Sequence, residues 1–159
     1  MSPVALIPRP LHRLALRLAF RTRHIWRKVV KPDLRGVSIL AVNAVGEVLL
    51  VRHSYGARSW TFPGGGCNRG EAPANTARRE FAEELGAGLS DLKLIDTIAE
   101  EISGAPHTAF VFAGTVAGPI RPDRREIAEA AFFPVDALPT PFSPLAHKRL
   151  QRWLALQQR

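Results

Sequence analysis

Two short segments, residues 36–42 (GVSILAV) and 47–53 (EVLLVRH), are built around apolar runs, broken in the first by Ser38 and flanked in the second by Glu47, Arg52 and His53. Their β-branched content, and Asn43 and Gly46 between them, predict a hairpin. Residues 59–62 (SWTF) read as a short strand running into Pro63 and three glycines. Residues 73–85 change to a helical period: Ala77, Phe81 and Leu85 recur at i, i+4 and i+8 on one side. Pro73 suits the first turn of that helix and Gly86 its stop. Residues 92–103 and 107–118 read as two strands around a turn at 104–106, and residues 130–133 (AAFF) as another. A last helix begins after Ser143, a hydroxyl suited to cap it, and carries Leu150, Trp153 and Leu154 as core candidates. Strands and helices mix, with hairpins present, so the expected class is α+β: a mixed sheet flanked by helices.

The chain opens differently. At 100° per residue, Leu11, Leu14, Ala15, Leu18, Ile25, Trp26 and Val29 fall on one side of a helix over 9–31. Arg9, Arg13, Arg17, Arg21, Arg27, Lys28 and Lys31 fall on the other, with Leu16 and Phe20 among them. Pro32 ends this basic amphipathic helix and a linker follows, giving an expected division into a leader, 1–35, and a domain, 36–159. Charge sharpens the division. The net charge is +8, yet residues 1–36 hold nine of the 22 Lys and Arg and one of the 14 Asp and Glu, so the remainder is neutral. An isolated helix of this length is marginal in water, so its apolar stripe calls for a partner. Its own domain or a second subunit is the first expectation, an anionic membrane surface the second and RNA the third; an Arg-rich, acid-poor targeting peptide is a further reading. No apolar run reaches membrane-spanning length. The single cysteine, Cys67, excludes an intramolecular disulfide and points to a reducing, cytoplasmic setting, with peripheral membrane contact as the variant reading.

The remaining question is chemical. Between positions 71 and 84 stand four glutamates, Glu71, Glu80, Glu83 and Glu84. On a helix the last three fall within roughly a 100° arc, and each like-charged neighbour costs a few tenths of a kcal/mol, about 0.2–0.5. Carboxylate oxygens in such an arc suit Mg2+ or Mn2+ and not zinc; a solvated acidic face is the plain alternative. Directly after the short strand at 59–62, Gly64, Gly65 and Gly66 allow a tight turn and close approach of the backbone to a ligand.

Together these residues closely resemble the Nudix box, G-x5-E-x7-R-E-U-x-E-E-x-G-U, with U a bulky aliphatic residue. Gly65, Glu71, Arg79, Glu80, Glu83, Glu84 and Gly86 occupy the fixed positions; Phe81 and Ala87 stand at the U positions as mild departures. The resemblance extends over about residues 36–140 and implies the Nudix fold, an α/β/α sandwich. It implies hydrolysis of a pyrophosphate bond in a nucleoside diphosphate linked to another moiety, with Mg2+ (or Mn2+) as cofactor. It further implies Glu83 and Glu84 as metal ligands, Glu80 as ligand or base, the Gly64 carbonyl as a further ligand, and Glu71 and Arg79 as braces. A later carboxylate is expected to join them, with Glu126 favoured over Glu129. Arg52 and His53, at the end of a strand aimed toward the glycines, are candidate substrate contacts, whereas Glu100 and Glu101 read as surface residues and His107 has no partner suggested by spacing. The intact carboxylate set argues for catalysis over a non-catalytic nucleotide-binding module.

Overall fold

The computed structural model describes residues 34–102 and 104–158, together with positions 11, 14–16, 18 and 19 of the leader. The main elements are β1 (Leu34–Val42), β2 (Val48–His53), α1 (Pro73–Leu85), β3 (Gly88–Ile102), β4 (Ala105–Ala117), β5 (Ile127–Phe133) and α2 (Pro144–Gln157). The sheet order is β3-β4-β1-β2-β5. Only β1 and β4 run parallel among these pairs; the others are antiparallel.

The runs Val37–Ala41 of β1, Ser38 included, and Val48–Val51 of β2 are buried at every position because both faces of the sheet are covered. Val37, Ile39 and Ala41 of β1 and Leu49 and Val51 of β2 pack on Ala77, Phe81 and Leu85 of α1. The alternate residues Leu40, Val48 and Leu50 pack on Ala146 and Leu150 of α2, with Trp153 and Leu154 partly buried beside them. Phe81, the aromatic departure in the box, is fully buried, and truncating such a side chain to alanine costs about 3–5 kcal/mol. The two helix boundaries follow their sequence signals. Gly86 adopts the left-handed conformation and its N–H donates to the Ala82 carbonyl, while the Ser143 hydroxyl accepts from the Ala146 N–H.

The predicted hairpin differs from the simplest form. β1 and β2 pair at Val42 and Val48 and then splay apart. The segment after β2 fills the gap: Val51 exchanges backbone hydrogen bonds with Thr61, the Ile39 N–H donates to Pro63, and the Val37 N–H donates to Gly65. The expected strand at 59–62 is therefore reduced to isolated bridges at Trp60 and Thr61. Backbone groups left open by the splay are satisfied by the glycine segment, and this wedge seats the glycines against β1, one short loop (67–72) ahead of α1.

In the leader, the described positions are helical, and Leu11, Leu14 and Leu18 are more than half exposed. The rest of the predicted helix 9–31, with all its basic residues, lies outside the described residues. Among the described residues no helix is long and apolar enough to cross a membrane.

Candidate active site

The wedge explains two of the three glycines. Gly64 has φ +152°, and a Cβ there would lie 2.1 Å from the Val37 carbonyl oxygen of β1. A Cβ on Gly65 would lie 2.3 Å from the Glu80 carboxylate carbon, so the loop backbone and that carboxylate are in direct apposition. Gly66 has open space around its missing side chain; its carbonyl accepts from Arg79 Nη2 at 3.3 Å.

Arg79 is the hub of the site. Its Nε and Nη2 each contact a separate oxygen of Glu71 at 2.9 Å. Its Nη1 reaches Glu80 at 2.8 Å and Glu83 at 3.2 Å. Such a two-pronged arginine–carboxylate pair fixes geometry as well as adding energy, and here it ties the loop to the helix. The hydrogen bonds from Arg79 and from the Asn68 backbone lower the Glu71 pKa to about 2. The Arg79 pKa rises in turn, chiefly through Glu71.

The other carboxylates differ in solvation. Glu83 is 62% exposed. Glu80 is partly buried and its pKa is raised by desolvation, against the pull of Arg79. Glu84 is only 6% exposed, and its Oε2 is buried with no hydrogen-bond partner. Desolvation pushes its pKa well up; Glu80, Glu126 and Asp123 add repulsion, and the Gly64 backbone N–H works the other way.

Glu126 reaches this neighbourhood through its loop. The Arg121 and Asp123 N–H groups donate to the Leu85 and Glu84 carbonyls at the end of α1. The Asp123 carboxylate accepts from the N–H groups of Arg125, Glu126 and Ile127, and the Ser54 N–H donates to the Glu126 carbonyl. Asp123 therefore shapes the turn that carries Glu126, a role legible only once the loop is folded. Glu129 instead pairs with Arg52 across β2 and β5. The guanidinium of Arg52 lies 5.5 Å over Trp60, so this candidate substrate contact is engaged by Glu129 and Trp60, outside the cleft described next. Among the described residues, no three Cys, His, Asp or Glu side chains converge tightly enough to enclose a metal ion; Glu80 and Glu83 are both engaged by Arg79.

The glycine loop also walls a cleft of about 770 Å³, lined in part by Arg35, His53, Asn68, Arg69, His107 and Arg149. His53 thus lies where the sequence suggested; burial lowers its pKa, with Asp123 opposing. Glu100 corrects the reading as a surface residue. It is 12% exposed and accepts from both Arg149 and His107 Nδ1, the latter at 3.1 Å. The missing signal was register: β3 and β4 pair antiparallel about their turn, which sets Glu100 directly opposite His107.

A family model described as NUDIX domain matches residues 32–154, most of the chain. RNA pyrophosphohydrolases of Photorhabdus laumondii subsp. laumondii and Proteus mirabilis are each 44% identical over 59 residues, 37% of this chain and 33% of each relative. The chain thus matches about a third of the length of these curated relatives. Its fold resembles the crystal structure of a MutT NUDIX hydrolase from Burkholderia pseudomallei (TM-score 0.70, 24% identity, 76% of this chain and 98% of that one). It also resembles the NUDIX domain of Shewanella oneidensis NrtR complexed with ADP ribose (TM-score 0.70, 16% identity, 80% and 90%). At these identities the structural likeness establishes the fold.

Proposed function

The chain belongs to the Nudix family, and from that premise we propose that it hydrolyses a pyrophosphate bond in a nucleotide derivative, using a divalent cation. The observation that carries this reading is the buried, unpartnered Glu84 Oε2 beside Glu80, Glu126 and Asp123. A carboxylate oxygen withdrawn from water and repelled by its neighbours is costly to keep ionised, and a hard cation offsets that cost.

The donor set fits Mg2+ or Mn2+, which take carboxylate and carbonyl oxygens. Glu80, Glu83, Glu84 and the Gly64 carbonyl are the proposed ligands, with Glu126 as the carboxylate recruited from the later loop. A closed set requires Glu83, largely exposed, to turn away from Arg79. Bound cations would neutralise phosphate charge and make a water molecule more acidic. The chain's own contributions are separable. The bidentate Glu71–Arg79 pair holds loop and helix in one register, so that Gly65 stays against Glu80. Glu80 has two alternative roles, as one of the proposed ligands or, where it holds no cation, as the base whose carboxylate oxygen accepts the proton of the attacking water. Water oxygen bonds to phosphorus as the bridging P–O bond breaks, and the two products leave as phosphate-terminated fragments.

Among pyrophosphate substrates, the 5′ end of an RNA is supported by the two RNA pyrophosphohydrolases matched over 59 residues and by a net charge of +8. The test is a panel of 5′-triphosphorylated oligoribonucleotide, dinucleoside polyphosphates, nucleotide sugars and nucleoside triphosphates, incubated with Mg2+ or with EDTA. Products are identified by mass. Metal-dependent cleavage at a P–O–P bridge is expected for at least one member; inertness toward the whole panel with Mg2+ and Mn2+ would remove the catalytic reading in favour of nucleotide binding.

A further inference from the structure

The charges around the glycine loop are segregated. Glu80, Glu84, Glu126 and Asp123 gather at one side. The cleft walled by the same loop is lined by Arg35, Arg69, Arg149, His53 and His107, and by no Asp or Glu among the described residues; Asp123, near enough to act on the His53 charge, marks where the two sets meet. The lining also uses its basic groups unequally. Arg149 is turned and partly neutralised by Glu100, which stands behind it and His107. Arg35 rests over the Phe110 ring at 5.1 Å. Neither Arg35 nor Arg69 makes an ion pair among the described residues, and both are exposed. A volume of about 770 Å³ lies within the roughly 300–1,000 Å³ typical of small-molecule sites. Low-dielectric walls bearing one sign of charge focus the field on a ligand of the opposite sign.

We propose that this cleft is an anion-recognition site for a phosphate beyond the scissile bridge, with Arg35 and Arg69 as its specificity-determining residues. The inference rests on the pyrophosphohydrolase reading above. Gly64, Gly65 and Gly66 line the cleft while Gly65 also abuts Glu80, so a ligand crossing the loop meets the carboxylates at one end and the arginines at the other. A substrate with only the two bridged phosphates leaves the arginines without an anion. One with more phosphates satisfies both ends. The additional phosphate has two sources: the backbone of an oligoribonucleotide, or the third or fourth phosphate of a nucleoside or dinucleoside polyphosphate. Connectivity favours the longer polyanion, because Leu34, where the nine-residue strand β1 begins, lines the cleft. The basic leader therefore joins the fold at its rim.

Binding measured in EDTA separates this proposal from catalysis. Fluorescence anisotropy would follow a labelled 5′-triphosphorylated pentaribonucleotide, with unlabelled nucleoside triphosphate, dinucleoside tetraphosphate and ADP-ribose as competitors. Arg35→Gln and Arg69→Gln are each expected to weaken pentaribonucleotide binding about tenfold, roughly one charge-assisted contact. Each should also lower the slope of log affinity against log salt by about one. Arg152→Gln, whose arginine pairs with Asp96 away from the cleft, serves as the control and should change neither. Stronger competition by the tetraphosphate than by the triphosphate would assign the extra contact to a polyphosphate chain; weak competition by both assigns it to the RNA backbone. Unchanged affinity and salt slope in both cleft variants, or equal losses in Arg152→Gln, would overturn the proposal. Absence of turnover on the panel, with these binding differences intact, would instead overturn the hydrolase reading alone.

Discussion

Replacing Glu84 with glutamine should make the protein more stable and less active at once. Glu84 is 6% exposed with one oxygen unpartnered, and its pKa is raised by desolvation and by repulsion from Glu80, Glu126 and Asp123. Such a group contributes its full stability below the unfolded carboxylate value of 4.5. The contribution is lost as pH rises toward the folded value. Glutamine has the same shape, carries no charge, and offers N–H donors to the neighbouring carboxylates. Relieving an unsatisfied buried charged group is worth on the order of 1–3 kcal/mol, and each kcal/mol moves the midpoint of a domain this size by about 2–4 °C. Thermal unfolding in EDTA at pH 8 should therefore show Glu84→Gln melting roughly 2–12 °C above wild type, with the difference vanishing near pH 4. Divalent cation should reverse the order. A ligand at a hundred times its Kd adds about 2.7 kcal/mol to whatever binds it, and the variant has lost a proposed ligand. A variant less stable than wild type in EDTA, with an unchanged metal-induced shift, would refute the reasoning.

Three further perturbations separate the parts of the site. Gly65→Ala should leave the melting temperature nearly unchanged but cut kcat, because its Cβ meets the movable end of Glu80; Gly66→Ala should be silent in both, and Gly64→Ala should destabilise by more than about 1–3 kcal/mol through backbone collision and strain. Glu71→Gln should lower the melting temperature at pH 7. Because the folded pKa of Glu71 is depressed from 4.5 to about 2, its contribution is present above 4.5 and lost as pH falls to about 2; a wild-type-minus-variant difference that stays constant over this window would rule out the Arg79 clamp as its source. Deleting residues 1–32 should preserve metal-dependent turnover of a small substrate while lowering affinity for oligoribonucleotide at low salt; a folded deletion variant without turnover would show that the leader helps build the site.

The sequence was most informative where local rules and burial agree. Helix α1 was bounded correctly because Pro73 and Gly86 act through local backbone geometry, and its apolar positions matched the face it buries. The glutamate arc and glycines were legible because their spacing is fixed within one loop and one helix. What escaped was tertiary. The gap between β1 and β2, filled by residues 61–67, depends on backbone hydrogen bonds that no side-chain pattern encodes. Arg52 was aimed at the glycines by strand direction alone, but it finds Glu129 across β5. Glu100 reads as solvent-facing in the sequence, whereas strand register sets His107 opposite it and Arg149 of a distant helix pairs with it. Asp123 was hidden because its function is to hold successive backbone N–H groups of its own turn.

The most direct trial of the central claim, that the carboxylate face of α1 performs metal-dependent hydrolysis, is turnover of Glu83→Gln beside wild type on the best substrate of the panel. Glu83 is 62% exposed and its only described hydrogen bond is to Arg79, so the substitution should leave the melting temperature within about 2 °C, the range of surface changes. The account predicts that kcat falls by roughly 100-fold or more, the scale seen when a transition-state electrostatic contact is removed. Near-normal kcat in a folded Glu83→Gln protein at saturating Mg2+ would contradict it.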